Sequence, residues 1–228
     1  GAFTLAQLDL GEDVVGVAAR LGAQGHASLG RPSDGLDLVF DLQRQDAPGA
    51  LGLKLAFEPK STELNLAAAV HEPASGIIAH VAGLEGLPPI DLDLNGAGPL
   101  DLFKAQLQFT AGPLASVSGG ARLDRRDAAR ALTLDLDGAV EKLLPPWLGP
   151  VFQGRTIVAG AVLFGDDGSY GLDKFQIAAK EAQLDANGRF GADQTIDGHV
   201  RLRARDENGR TRAGDAEIGA LDFQLDAV

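Results

Sequence analysis

Residues 36–70 run LDLVFDLQRQDAPGALGLKLAFEPKSTELNLAAAV, and most of the chain repeats what they do. Leu36, Leu38, Phe40 and Leu42 fall on one parity, while Asp37, Val39 and Asp41 fall on the other. After a turn at Ala47-Pro48-Gly49, Leu51, Leu53, Leu55 and Phe57 alternate with Gly52, Lys54 and Ala56. After Pro59-Lys60-Ser61, Leu64, Leu66, Ala68 and Val70 keep the same beat. Successive side chains leave a strand on opposite faces, so strict period-two alternation specifies half-buried strands. Turn signals every ~8–15 residues join them into an antiparallel meander. One face is Leu, Ala and Phe; the other is wet.

Downstream the pattern continues. Ile90, Leu92 and Leu94 alternate with Asp91, Asp93 and Asn95, and Phe103, Ala105, Leu107 and Phe109 alternate with Lys104, Gln106 and Gln108. Val117, Ala121 and Leu123 follow, and Leu132, Leu134 and Leu136 oppose Thr133, Asp135 and Asp137. Further strands are predicted over 157–164, 170–178, 183–190, 196–205 and 217–225, with Ile157 assigned to the same apolar face. Asp166-Asp167-Gly168-Ser169 is a hairpin-turn signal. Upstream, Phe3, Leu5 and Leu8 open a strand whose alternation slips around Gln7 and Asp9, and 14–21 and 25–29 read as short strands.

Two stretches change the period. Ile77, Val81 and Leu84 are spaced i, i+4, i+7, which predicts a short helix with Ser75 as N-cap and Gly83 and Gly86 as stops. Leu143, Leu144, Trp147, Leu148, Val151 and Phe152 gather around Pro145, Pro146 and Pro150. Three prolines forbid a long helix or a central strand, so 141–152 is expected to be a compact apolar insertion.

Composition narrows the function classes. The chain has 228 residues and a net charge of −12. That balance argues against nucleic acid, whose phosphates need a cationic partner, and against an anionic membrane surface. There is no Cys, hence no disulfide framework, thiol nucleophile or thiolate metal site. No apolar run reaches the roughly 18 residues of a membrane span, and no signal peptide is present. The chain starts at Gly1 and contains no Met, which reads as a segment of something longer.

Chemistry-bearing motifs are few. Asp91-Leu92-Asp93-Leu94-Asn95-Gly96 opens like a calcium loop, but position twelve is Leu102 where a bidentate Glu is required. His26, His71, His80 and His199 show no ligand spacing, so no metal site is expected. No Ser lies in a nucleophile elbow, and the glycines form neither a phosphate loop nor a dinucleotide fingerprint. Most carboxylates fall on the wet parity, where solubility explains them. Arg122, Arg125, Arg126 and Arg130, and Arg201, Arg203 and Arg205, are interspersed with Asp124, Asp127 and Asp206, which reads as a solvated face. Trp147 with Phe152 reads as local packing. No catalytic residue and no cofactor are expected.

A dozen or more strands at about 4.8 Å would make a sheet roughly 60–70 Å wide. Sheets that wide twist, curl or split, and so much bare hydrocarbon is improbable in water. A dry sandwich, a barrel or a curled trough would solve this. A membrane barrel fits badly, because the outward face is charged and lacks aromatic girdles. The residues leave sandwich and trough open.

The segments Glu72-Pro73-Ala74-Ser75-Gly76, Gly83-Leu84-Glu85-Gly86-Leu87-Pro88-Pro89-Ile90 and Leu94-Asn95-Gly96-Ala97-Gly98-Pro99-Leu100, with Leu-x-Leu-x-Leu strands such as 132–138, resemble the TamB family of AsmA-like proteins. The likeness is clearest over 36–165 and consists of turn and strand patterns rather than a catalytic signature. It implies an all-β fold, a long antiparallel meander curled into an elongated open trough, spanning 1–228 as one segment. It implies a non-enzymatic conduit for phospholipid acyl chains in outer-membrane biogenesis. The family is periplasmic, anchored in the inner membrane, and partners the outer-membrane barrel TamA through parts absent from this sequence. The groove lining would be Leu36, Leu38, Phe40, Leu42, Leu51, Leu53, Leu55, Phe57, Leu64, Leu66, Val70, Ile90, Leu92, Leu94, Phe103, Leu107, Phe109, Leu132, Leu134, Leu136 and Ile157. The rival readings are a dry-cored scaffold or adhesin, a surface assisting outer-membrane protein assembly, and an enzyme built from scattered carboxylates.

Overall fold

A computed structural model describes residues 1–31, 33–145, 149–204, 210–213, 216–219 and 221–227. The fold is all-β, and its strands follow one another antiparallel in chain order as open meanders. The chain falls into two compact units, Gly1–Ser116 and Val117–Val228. Trp147, with Pro146 and Leu148, lies outside the described residues, as do Arg205 and Asp206.

In the first unit the strands are β1 (Ala2–Leu10), β2 (Ala19–Leu29), β3 (Leu36–Arg44), β4 (Ala50–Glu58), β5 (Glu63–Glu72), β6 (Ile90–Pro99) and β7 (Leu102–Ala111). Helix α1 (Glu12–Val15) joins β1 to β2, and α2 (Ile77–Val81) joins β5 to β6. Register aligns the apolar parities of all seven. One row runs Phe3, Gly25, Phe40, Leu53, Ala68, Leu94, Leu107, and the next runs Leu5, Ala23, Leu42, Leu51, Val70, Leu92, Phe109. Turning the strands with short loops keeps the Leu and Phe residues of these rows on one side, because a slip by one would flip a whole strand. Where the sequence itself slips, the backbone absorbs it. The β1–β2 register shifts between Leu5 and Leu8, so Leu5 and Leu8 stay on one face despite three-residue spacing.

Two glycines in these rows make room for rings. A Cβ on Gly25 would lie 2.8 Å from the Phe3 ring, and Phe3 crosses it to reach Phe40, 6.1 Å between centroids. Phe103 likewise covers Gly96, where a Cβ would meet its Cζ. Aromatic cover of a strand glycine restores the packing that the missing side chain forfeits.

The second unit holds β9 (Ala129–Ala139), β10 (Thr156–Gly165), β11 (Tyr170–Ala178), β12 (Ala182–Phe190), β13 (Ile196–Ala204) and β16 (Leu221–Ala227). A separate hairpin pairs β14 (Arg210–Ala213) with β15 (Ala216–Gly219), and β8 (Ala115–Arg126) crosses the division between the units. Its rows are Leu136, Val158, Ile177, Leu184, Leu202, Phe223 and Leu132, Val162, Leu172, Gly188, Gly198. At Asp173-Lys174 the alternation gains a residue, Lys174 takes φ +49°, and Gly160 opposite gives way, since a Cβ there would lie 2.5 Å from Phe175 Cα. The turn 166–169 forms as expected, with the Gly165 N–H donating to Ser169 O and Gly168 at φ +81°.

Two local expectations are corrected, and a third stretch gains detail. The strand expected over 14–21 begins only at Ala19: Glu12–Val15 is a helical turn, ended by Gly16 at φ +76°, and β2 then runs unbroken to Leu29. Ser75 does not cap α2. The carboxylate of Glu72, only 5% exposed, accepts the N–H groups of Ile77 (2.5 Å) and Ile78 (2.8 Å) instead. A carboxylate satisfies two orphan donors where a hydroxyl satisfies one. The insertion at 141–152 is two short 3-10 turns, Glu141–Leu143 and Gly149–Phe152, tied to the chain beyond by Glu141 Oε2 accepting from Gly154 N.

Removing the Glu72 carboxylate leaves two part-buried backbone donors without their partner, at about 1–3 kcal/mol. Glu72→Ala is expected to lower unfolding free energy by that amount in urea titration, and Glu72→Gln, which keeps one acceptor, by less. Equal stability of all three proteins would remove the carboxylate from the account of this corner.

Candidate functional site

The apolar face of the first unit is the most extensive feature of the described chain. Leu38, Phe40, Leu53, Leu55, Leu66, Leu92, Leu94 and Leu107 line it, and each is half-buried, neither sealed nor free. No large side chain among the described residues is fully buried. The most buried apolar groups are small or sit at one end: Ala19, Leu21, Ala79, Ile90 and Ala111. Leu36, Leu42, Leu51, Phe57, Leu64, Val70, Phe103 and Phe109 share this face by parity, Phe103 among its more buried members. In the second unit Leu132, Leu134 and Leu136 share a face with Val162 and Val158.

Ile157 does not. It pairs with Asp137 and Ala178, which puts it on the parity of Asp135 and Asp137, opposite Leu134 and Leu136. Strand β10 reads Thr-Ile-Val-Ala-Gly-Ala-Val-Leu-Phe, apolar on both faces, so only its neighbours decide which way each residue points. Sequence reasoning missed Val158 and Val162 for the same reason, and pairing adds Ile177, Leu184 and Leu202 to their face. Exposed members of that face in the second unit include Phe164 (40%), Tyr170 (55%) and Phe190 (42%), with Phe164 edge-on to Tyr170.

The opposite face is polar and closely paired. His71 Nδ1 meets Asp91 Oδ1 at 2.5 Å across β5–β6, His199 Nδ1 meets Asp226 Oδ1 at 2.6 Å across β13–β16, and His26 meets Asp37. Arg125 grips Asp166, Arg126 reaches Asp124 and Asp173, and Arg203 reaches Asp185. Arg122, Arg125, Arg126 and Arg203 are therefore each matched with carboxylates in place. Hydrogen bonds hold several carboxyls below their usual range: Gln7 and then Arg20 at Asp9, Ser169 at Asp167, Thr195 at Asp193, and His199 and then Gln224 at Asp226. Asp46 is lowered furthest, by Arg44 and the Arg20 N–H. The calcium-like stretch is plain β6, with Asp91 on His71 and Asp93 accepting from Asn95, and no group of three potential ligands exists among the described residues.

Three hollows of the first unit lie on this polar face. The largest, about 620 Å³, is lined by Asp37, Val39, Lys54, Ala56, Asn65, Ala67, Asn95, Ala97 and Lys104 above the backbone of the Leu38, Leu55 and Leu66 row. Another is lined by Thr4, Gln24, Asp41, Gln43 and Gln45, and a third by Ser28, Asp34, Glu58 and Asn65. None is formed chiefly by the Leu face, so these hollows do not outline the expected apolar trough interior. No helix among the described residues is long and apolar enough to cross a membrane.

Comparison with protein-family models, with curated proteins and with solved structures finds no match.

Because those carboxyls are depressed in the folded state, their contribution is complete above about pH 4 and is lost as pH falls through their folded values. Thermal midpoints are expected to hold from pH 7 to about 5 and to drop below about 4. His199→Ala should return Asp226 toward ordinary titration in carboxyl NMR; an unmoved Asp226 would discount the cross-strand pair.

Proposed function

We propose that this chain is a non-enzymatic surface for phospholipid acyl chains, a segment of a TamB-like conduit in outer-membrane biogenesis. One observation supports it above others: register-matched rows of aliphatic side chains cross seven strands and are left half-exposed. A dry core would bury such residues, whereas a lipid-binding face keeps them available. Hydrocarbon laid on Leu38, Leu53, Leu66 and Leu94 would gain about 0.8 kcal/mol per methylene removed from water. The lining has no directional polar group, so it would hold acyl chains without choosing among them, and no single position would trap one. On this reading the parent protein is inner-membrane anchored, works in the periplasm and meets its barrel partner through regions outside this sequence.

Native mass spectrometry of the purified chain incubated with phosphatidylethanolamine vesicles tests the reading. Leu66→Glu is expected to abolish the lipid adduct with β-rich circular dichroism retained. Ala69→Glu puts the same charge three residues away on the opposite face, across from Gly52, and should leave the adduct intact. Loss in both variants, or in neither, would reject the Leu face as the binding surface. A lipid-free dimer in place of an adduct would favour the dry scaffold.

A further inference from the structure

The 620 Å³ hollow on the polar face has a composition that the acyl-chain reading leaves unused. Register puts Lys54, Ala67 and Asn95 along one cross-strand row and Asn65, Ala97 and Lys104 along the next. Ala56, Ala67 and Ala97 form a low floor, so the longer polar groups stand as walls around open space. Lys54 and Lys104 are three strand spacings and one two-residue step apart, roughly 16 Å at Cα. Their four-carbon stems let both ammonium groups close on a guest between them.

Charge pairing distinguishes these lysines from the arginines of the polar face. On a chain of net charge −12, the arginines of the polar face are matched with carboxylates, often at hydrogen-bond distance. Lys54 and Lys104 have no acidic partner among the described residues. Asp37, the one carboxylate on the rim, is engaged by His26. The lining thus offers two point cations and the amides of Asn65 and Asn95, with Asn95 also turned to Asp93 at 3.3 Å. Ammonium groups with amide donors suit a compact oxyanion better than a carboxylate-poor cleft suits a cation.

We propose that this hollow binds a phosphate-bearing ligand, held between Lys54 and Lys104 with Asn65 and Asn95 as hydrogen-bond donors. The site lies on the face opposite the Leu rows, so it stands whether or not those rows carry lipid. The phosphate could belong to a free monoester or to a diester of the kind found in lipid headgroups, and the two are separable.

Amide NMR titrations at constant ionic strength, with chloride as reference, would use glycerol 3-phosphate in one arm and glycerophosphoglycerol in the other. Saturable shifts confined to the neighbourhood of residues 54, 65, 95 and 104 are expected in at least one arm, and the tighter arm identifies the source. The Lys54→Gln/Lys104→Gln variant should bind at least about tenfold more weakly with its thermal midpoint unchanged. Shifts that match chloride, or that survive in the double variant, would overturn the site. No lipid enters this test, so its outcome is distinct from that of the vesicle experiment.

Discussion

Everything in this protein depends on side-chain parity being preserved from one strand to the next. A pleated strand offers two faces, and pairing transmits the choice made by each strand to its neighbour. In the first unit the transmission holds across seven strands, which is why separate Leu-x-Leu segments become continuous rows. The places where the chain adds a residue show the strength of the constraint. At Ala6-Gln7 and at Asp173-Lys174 the backbone bulges rather than let the apolar parity cross to the wet side. The glycines under Phe3 and Phe103 serve the same end, giving rings room to lie flat over the sheet.

The polar face follows a different economy. Its carboxylates outnumber its cations, yet the negative charge is not left to repel freely. Histidines and arginines are set opposite or diagonal to aspartates across strand pairs, the positions where sheets gain from opposite charge. Each such pair is exposed and individually weak. Together they favour the observed register on the face that has less hydrophobic packing to set it.

Much of this was legible in the sequence because alternation is a local signal. The strands over 36–70 and 90–109, the hairpin at 166–169 and the single helix near Ile77 all follow from residue spacing alone. What escaped was whatever depends on a neighbour. Ile157 sits in a run apolar on both parities, so only its pairing with Asp137 reveals its face. Glu72 ends β5, and nothing nearby in the sequence announces that its carboxylate folds back onto α2. Val14-Val15 favours a strand by composition, but the flanking Gly11 and Gly16 set a helical turn instead. The hollow holding Lys54 and Lys104 gathers residues from β3 to β7 and has no signature in any one segment.

The helical corner makes the two margins of the first unit's Leu face unlike. Glu72 stands on the apolar parity and holds α2 over that side, beside Ile90 and Ala111, while Gly16 allows α1 to nestle against His80. The other margin is bounded by brief hydrophilic loops around Ser33-Asp34, Lys60-Ser61 and Asp101. An extended molecule lying parallel to the strands would therefore meet a protein roof at its one tip and water at the other. The surface has a head and a tail.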